Sequence, residues 1–268
     1  MKLLAIAFEP LRHHGVISAL TRRELASRYR GSLFGSAWMV ITPLLMLSIY
    51  TLVFGVIFKS RWPGQAGQGV GAIAVQLYMG LLMNGLLQET MGRAPGLILE
   101  QTNYVTKVVF PLQTLPWVTL LTGLFHFALG LLLLLLFDLL TGGGLHATLL
   151  CLPLVLAPYA LCLLGLSALF ASLGVYLRDL RQVMPALITI MMFLSPMFYA
   201  RTNSPPLMQH LMMLNPLTVP IEQARAVAID GHWPAWGVLG GYAVAALVVY
   251  TLGQRVFARL RPGFADVI

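Results

Sequence analysis

Long apolar stretches, separated by short polar segments, occupy most of this chain. They lie at residues 37–58, 72–91, 112–140, 149–176, 183–200 and 235–256. A helix needs about 20 predominantly apolar residues to cross the hydrocarbon core of a bilayer, and most of these stretches are that long. The pattern predicts an all-α integral membrane protein with six spans, numbered in chain order, across residues 37–256. Segment 1–36 before them and segment 257–268 after them are both expected in the cytoplasm.

Charged residues are scarce, with 17 Lys and Arg and 9 Asp and Glu among 268 residues, which is too few for the surface of a soluble protein of this size. Only four of the basic residues lie in the loops of one side, namely Lys59, Arg61, Arg201 and Arg225. Since short cytoplasmic loops are rich in Lys and Arg, both termini are predicted to be cytoplasmic. The net charge of +8 then reflects the orientation of the chain in the membrane. No nucleic-acid partner is expected, because no basic run is interleaved with aromatic residues.

The basic segment 11–30 carries apolar residues at roughly helical spacing. This pattern predicts a helix that lies in the cytoplasmic headgroup layer with its apolar side towards the lipid. An ordinary helix exposed to solvent explains the pattern equally well. Thr21 and Glu24 have the spacing of a capping box, which predicts a break or a restart of the helix near Thr21.

The connections between the spans differ in character. Residues 94–104 are predicted to form a short helix, and residues 176–182 a short charged connection. Composition alone favours solvated turns there over docking sites. Segment 201–234 is apolar but interrupted by prolines, which predicts two short helices that re-enter the outer leaflet and are buried against protein. Glu222 and Arg225 within it are expected to pair across one helical turn.

Few ionisable residues fall inside the predicted spans, where a charge at the bilayer centre costs on the order of 2.5–3.5 kcal/mol. Glu89 lies near the cytoplasmic end of span 2 and Asp138 near the outer end of span 3. His126 is deeper, and a neutral histidine bonded to a neighbouring helix is favoured over a proton relay. Cys151 and Cys162 are too far apart along one helix to form a disulfide and are expected to be packing residues.

Spans 1 and 5 carry more aromatic residues than their neighbours. These are Tyr50, Phe54 and Phe58, four residues apart on span 1, and Phe193, Phe198 and Tyr199, towards the outer end of span 5. Aromatic faces are apolar, and sugar rings can stack on them. From composition alone, helix packing is favoured over the lining of a glycan channel.

Sequence signatures of ATP binding and of hydrolytic chemistry are absent. The sequence contains no G-x-x-x-x-G-K-[ST] phosphate loop. It also contains no H-E-x-x-H motif, no G-x-S-x-G motif and no clustered carboxylates. We therefore expect no catalytic residue, no metal site and no cofactor in this chain.

Eight short motifs occur in an informative order and spacing. They are Thr-Arg-Arg-Glu-Leu at 21–25, Arg-Tyr-Arg-Gly-Ser-Leu-Phe-Gly at 28–35, Trp38 with Thr-Pro-Leu at 42–44, Lys-Val-Val-Phe-Pro at 107–111, Tyr-Leu-Arg-Asp at 176–179, Ser-Pro-Met-Phe-Tyr at 195–199, Leu-Asn-Pro-Leu-Thr at 214–218 and Arg-Pro-Gly-Phe-Ala-Asp at 261–266. Each is weak alone, but the ordered set covers nearly the whole chain. Together they resemble the ABC-2 type permeases that export O-antigen, capsule and teichoic acid, and the ending is most similar to the O-antigen branch.

This resemblance implies a homodimer of six-span subunits in the bacterial inner membrane, together with two copies of a separate ABC ATPase that binds ATP and Mg. The substrate would be a polysaccharide on a polyprenyl diphosphate lipid, moving through a channel at the dimer interface. The six aromatic residues would line that channel. Arg28 and Arg30 would contact the diphosphate. An equally favoured interpretation is that these two arginines anchor the chain at the lipid headgroups. The residues that would dock the ATPase are Arg22, Arg23, Glu24, Leu97, Glu100, Asn103, Tyr104, Arg178, Asp179 and Arg181.

Other functions stay open on the sequence. A capsular polysaccharide or teichoic acid would suit the same machinery as O-antigen. An ABC-2 permease for a small hydrophobic compound would share the six-span plan but would not favour an aromatic stripe. A membrane enzyme or a self-contained channel would need no ATPase partner.

Overall fold

The computed structural model describes residues 12–57, 70–101 and 110–267. Within these ranges the chain is helical and has no β-strand. The α-helices, numbered in chain order, are α1 His14–Arg28, α2 Trp38–Tyr50, α3 Val70–Arg93, α4 Leu115–Leu140, α5 Leu152–Tyr176, α6 Leu180–Phe193, α7 Pro206–Met213, α8 Thr218–Ala228, α9 Trp236–Leu260 and α10 Phe264–Val267. A π-helical stretch, Thr51–Ile57, extends α2.

Five helical stretches of the described ranges are long and apolar enough to cross a membrane. They are Gly35–Phe54, Gly71–Gly96, Leu112–Leu140, Ala147–Tyr176 and Trp236–Val267. They correspond to predicted spans 1, 2, 3, 4 and 6, and the all-helical membrane class is confirmed. Predicted span 5 corresponds to α6, which has only 14 residues. At 1.5 Å per residue this helix is about 21 Å long, shorter than a hydrocarbon core of about 30 Å.

Helix α6 ends at Phe193 because side chains from the following segment bind the carbonyl groups at its end. Asn215 donates through Nδ2 to the carbonyls of Met191 and Leu194, at 2.6 and 2.9 Å. Arg225 donates to the carbonyls of two residues farther along. A packed turn therefore follows α6 where the sequence pattern predicts continued helix to residue 200.

Helix α1 continues through Thr21, so the predicted break is wrong. The Thr21 hydroxyl donates to the carbonyl of Ile17, one turn back, at 2.8 Å, which is a helix-interior arrangement. The carboxylate of Glu24 pairs with Arg93 instead of capping the helix. The turn beyond α1 contains Gly31 at a φ of 82°, a conformation that glycine adopts without strain.

Helices α5 and α9 pack backbone against backbone at two glycines. A Cβ added to Gly165 would lie 2.5 Å from the Cα of Tyr250, and one added to Gly253 would overlap with the carbonyl oxygen of Gly165. Small residues allow membrane helices to approach this closely.

The buried core is distributed unevenly over the helices. Helix α3 is largely buried, and Met79, Met83 and Leu87 have no exposed surface. In α2, by contrast, Leu47 is the one buried residue, and Leu45 and Ile49 are about half exposed. An apolar surface of this extent requires lipid or another protein surface as its neighbour.

The connection after α3 is held by a second, smaller core. Leu97 and Ile98 pack there with Phe257 of α9. The described part of the predicted helix 94–104 consists instead of two 3₁₀ turns, Ala94–Gly96 and Leu99–Gln101. The prediction of a continuous helix is therefore wrong over these residues, since Pro and Gly in the first turn oppose α-helix formation.

Segment 201–234 contains two short helices, α7 and α8, in the number that the proline pattern predicts. The predicted pairing within it is wrong: Glu222 lies 2.9 Å from Nε of Arg201, and Arg225 instead turns inward, with 4% of its surface exposed. Cys151 and Cys162 are both free and buried, as expected of packing residues.

Candidate functional site

A cavity of about 780 Å³ lies between α1, α2, α3 and α4. Arg28 at the end of α1, Tyr50 of α2, Asn84 and Glu89 of α3, and His126 of α4 all line it. The cavity therefore joins a basic residue predicted to contact a diphosphate with an aromatic residue predicted to line a channel.

Four charged side chains form an ionic cluster where α1 meets α3. Nη1 of Arg28 lies 2.8 Å from Oε2 of Glu89, and Nη1 of Arg93 lies 2.6 Å from Oε1 of Glu24 and 3.8 Å from Oε1 of Glu89. Two positive and two negative charges balance here, which offsets part of the free energy of removing them from water. The ionic cluster thus ties the N-terminal helix to the bundle.

The pKa of Arg28 is raised above its ordinary value. Burial lowers it, but the hydrogen bond with Glu89 and the charges of Glu89, Tyr29 and Glu24 together raise it by more. Arg28 is therefore a permanent cation at one wall of the cavity.

His126 lies beside the ionic cluster. Its Nδ1 is 4.0 Å from Oε2 of Glu89, and its Nε2 is 3.2 Å from the hydroxyl of Tyr29. The hydrogen bond connects α4 to the end of α1. This contact is the one that the favoured interpretation predicts, and it accounts for the histidine without a proton relay.

Five of the six selected aromatic residues form one continuous aromatic group, and Phe58 lies outside the described residues. Ring centroids are 5.9 Å apart for Tyr50 and Phe54, 5.8 Å for Phe54 and Phe198, and 5.8 Å for Phe193 and Phe198. The Tyr199 hydroxyl donates to the carbonyl of Phe193 at 2.6 Å. The aromatic group therefore bridges α2 and the end of α6.

The rings at the centre of the aromatic group are nearly parallel. The interplanar angle is 14° between Tyr50 and Phe54 and 21° between Phe54 and Phe198. Phe54 belongs to the π-helical stretch, whose wider turn directs side chains differently from an α-helix, and such stretches are often found at functional sites. The aromatic group extends from the cavity, at Tyr50, to Phe193, which is tilted by 34° against Phe198 and is 56% exposed.

Polar residues on the α3 wall of the cavity complete the site, and our sequence predictions do not include them. Asn84 is 3% exposed, and its Oδ1 has no hydrogen-bond partner among the described residues. Gln88 lies four residues later, on the same helix face, and also lines the cavity. This spacing within span 2 is the sequence signal that points to them.

The two arginines selected for diphosphate binding lie in different surroundings. Arg28 belongs to the ionic cluster. Arg30 lies in the turn that follows α1 and is exposed.

The residues predicted to dock an ATPase occupy two regions. Arg22, Arg23 and Glu24 are on α1. The others that the structure describes lie after α3 (Leu97 and Glu100), between α5 and α6 (Arg178 and Asp179) and in the first turn of α6 (Arg181), while Asn103 and Tyr104 lie outside the described residues.

The connection after α3 contacts the first turn of α6. Nη2 of Arg181 lies 3.8 Å from Oε1 of Glu100 and donates to the carbonyl of Gly96 at 3.1 Å. Arg178 and Asp179 are exposed. Leu97 is 6% exposed, so it holds the connection in place rather than offering a surface. No group of three or more His, Cys, Asp or Glu residues that could hold a metal ion occurs in the described ranges.

Five long apolar helical stretches, one of which corresponds to the largely buried α3, define a multi-pass membrane protein. The family model for the ABC-2 type transporter matches residues 15–229, so the chain belongs to the ABC-2 type transporter family.

Curated proteins resemble it over nearly their full length. The O-antigen export system permease protein RfbA of Myxococcus xanthus is 26% identical over 99% of this chain and 100% of that protein. RfbA of Klebsiella pneumoniae is 22% identical over 94% and 95%. The polysialic acid transport protein KpsM of Escherichia coli is 24% identical over 90% and 92%.

Proposed function

We propose that this chain is the membrane subunit of an ATP-driven exporter that moves lipid-linked polysaccharide of the O-antigen type out of the cytoplasm. The observation that carries the proposal is the aromatic group, a run of neighbouring rings, stacked at its centre, that suits the apolar faces of sugars. The chain is similar over nearly its full length to proteins named as O-antigen export permeases, and this similarity supports the choice of substrate.

In this proposal the chain crosses the bacterial inner membrane six times, with both termini in the cytoplasm. Helix α6 and the turn after it form the fifth crossing, and α7 and α8 dip into the outer leaflet. The excess of Lys and Arg in the connections on one side supports this orientation.

Two copies form the conduit, with the aromatic groups facing the path of the glycan between them. The exposed apolar face of α2 supports such a dimer, because it carries one end of the aromatic group and buries little within its own subunit. Arg28 and Arg30 contact the diphosphate of the carrier lipid at the cytoplasmic side.

Two copies of a separate ATPase supply the energy and hold ATP and Mg. They dock on α1 and on the connections that follow α3 and α5. The contacts of Arg181 with Glu100 and with the carbonyl of Gly96 support this proposal, because they bring the connection after α3 and the first turn of α6 together on one surface.

Removing the central rings tests the role of the aromatic group. We expect the triple variant Tyr50→Ala, Phe54→Ala and Phe198→Ala to lower export of long glycans roughly tenfold, since it removes the apolar ring faces on which sugars can stack. Surface glycan on immunoblots from a complemented deletion strain measures the effect. Wild-type export in cells whose transporter assembles normally would assign these rings to packing instead.

A matched control uses aromatic residues outside the group. Trp233 and Trp236 are 66% and 57% exposed, and their double alanine variant is expected to export normally. Retention of the ATPase by both variants separates a transport defect from an assembly defect.

Charge reversal tests the docking surface. The double variant Arg178→Glu with Asp179→Arg is expected to retain at least about tenfold less ATPase on the purified subunit, because like charges placed opposite each other at an interface weaken binding. Co-purification from cells that express both subunits measures this. Arg259→Glu, an exposed change at the end of α9, serves as the control. Equal retention by the two variants would place docking elsewhere.

A capsular polysaccharide is the second candidate substrate, because the chain is also similar to KpsM and to the capsule polysaccharide export inner-membrane protein CtrC of Neisseria meningitidis. Deleting the gene and determining which surface glycan disappears separates the two. If the deletion strain loses teichoic acid, the chain exports teichoic acid. If all surface glycans remain and the strain becomes sensitive to a small hydrophobic compound, the chain exports that compound.

A further inference from the structure

We propose that the cavity between α1 and α4 is a loading site, contained within one subunit, for the diphosphate and the first sugar of the lipid-linked glycan. In this site Arg28 exchanges Glu89 for the diphosphate, and Asn84 with Gln88 hydrogen-bonds the sugar. This inference rests on the proposed function and adds where the substrate is bound before it reaches the aromatic group.

The unpartnered side-chain oxygen of Asn84 points to a polar ligand. This Oδ1 is buried without a hydrogen-bond partner among the described residues, and a buried acceptor in that state is unfavourable. Asn84 lines the cavity, with Gln88 one turn nearer to the ionic cluster. A rotation of the Asn84 side chain would turn Oδ1 towards the cavity, where a ligand that brings hydroxyl or amide donors, as a sugar does, would satisfy it.

The basic end of the cavity points to an anion. Arg28 lines the cavity, and its guanidinium pairs with Glu89 alone among the described carboxylates. A diphosphate offers more acceptor oxygens and more negative charge than one carboxylate. Glu89 therefore competes with such an anion for Arg28 and pairs with Arg28 while no anion is bound.

The exchange does not leave Glu89 without basic neighbours. Arg93 lies 3.8 Å away and Nδ1 of His126 4.0 Å away. The side chain of Arg28 is 42% exposed and that of Glu89 is 12% exposed, so Arg28 stays in contact with water when it leaves Glu89, and Glu89 keeps the charge of Arg93 nearby. Arg28 can therefore exchange its partner while the ion pair between Arg93 and Glu24 keeps α1 in place.

The order of the groups matches the chemistry of the proposed ligand. The cation lies at the α1 end, the amides of α3 come next, and Tyr50 connects the cavity to the aromatic group. A diphosphate followed by sugars would meet these groups in that sequence. The volume of about 780 Å³ is within the usual range of ligand pockets, roughly 300–1,000 Å³.

Binding to the purified transporter in lipid nanodiscs tests the loading site with three probes: a polyprenyl diphosphate that carries one sugar, the same lipid without the sugar, and phosphatidylglycerol. We expect Arg28→Gln to weaken both diphosphate lipids about tenfold or more, as loss of a charged hydrogen bond does. Asn84→Ala is expected to weaken only the sugar-bearing lipid, by about fivefold.

Glu89→Gln supplies the sharpest comparison, because it breaks the same ion pair as Arg28→Gln. If the pair matters only for structure, both variants change binding in the same direction. If Glu89 competes for Arg28, Glu89→Gln strengthens diphosphate binding severalfold while Arg28→Gln weakens it. Arg12→Gln, an exposed change before α1, controls for general loss of basic charge, and Arg28→Lys covers the case in which Arg28→Gln does not fold.

The outcomes separate this inference from the function on which it rests. Wild-type protein that binds neither diphosphate lipid refutes the proposed substrate class. Tight binding that is insensitive to Arg28 and Asn84 refutes the loading site alone. Phosphatidylglycerol binding that equals diphosphate binding, with the same loss in Arg28→Gln, would make the cavity a phospholipid site and overturn the inference.

Discussion

Replacing Gly253 with leucine is expected to prevent stable folding of the helix bundle. A Cβ at this position would overlap with the carbonyl oxygen of Gly165 on α5. The obstacle is backbone, so no change of side-chain rotamer relieves it, and α5 and α9 must separate. Overpacking costs about 1–3 kcal/mol where side chains can shift, and a larger loss is expected here.

The yield of monodisperse protein after detergent extraction, together with its thermal unfolding temperature, measures this effect. Gly240→Leu is the matched control, because it lies on the same helix and a Cβ there would meet nothing within 4 Å. We expect the control to resemble the wild type. A Gly253→Leu protein as stable as the control would contradict the close packing of α5 and α9.

The apolar pattern predicts the long helices well because the hydrophobic requirement of a membrane span is local in sequence. Predicted span 3 at 112–140 has the same bounds as the helical stretch Leu112–Leu140. Span 5 is different, since its apolar residues continue to residue 200 while α6 ends at Phe193. The end of that helix depends on Asn215, which binds its carbonyls from 22 residues beyond Phe193 in the chain, a contact that hydropathy does not encode.

Only part of the candidate site, too, can be predicted from the sequence. Spacing by four residues places Tyr50 and Phe54 on one stripe, and this part of the aromatic group follows from the sequence. The stack of Phe54 on Phe198 joins two distant helices and needs the fold. The pairing of Arg28 with Glu89, 61 residues away, also needs the fold, and from the sequence each is only a charge near a membrane surface.

The glycines show a further limit of sequence patterns. Gly165, Gly240 and Gly253 all lie within long apolar helices, yet a side chain would be tolerated at one and excluded at the other two. Close approach of two helix backbones is a property of the pair. It cannot be assigned from either helix alone.

Replacing Arg225 with methionine is expected to destabilise the segment between α6 and α9. Its guanidinium donates to the carbonyls of Gln76, Pro196 and Met197, at 2.8, 2.5 and 2.8 Å. Methionine fills a similar volume but donates nothing. A buried group that loses its hydrogen bond costs about 1–3 kcal/mol, so three carbonyls together amount to several kcal/mol.

Arg201→Met is the matched control, because Arg201 is also an arginine of the segment that follows α6 but pairs with Glu222 while partly exposed. Such pairs contribute about 0–1 kcal/mol, and the control should unfold close to the wild-type temperature. Arg225→Lys should be intermediate, since one ammonium cannot reproduce the planar fork of donors. Equal unfolding temperatures for Arg225→Met and Arg201→Met would mean that water or lipid replaces these bonds, and that the turn after α6 is held by Asn215 instead.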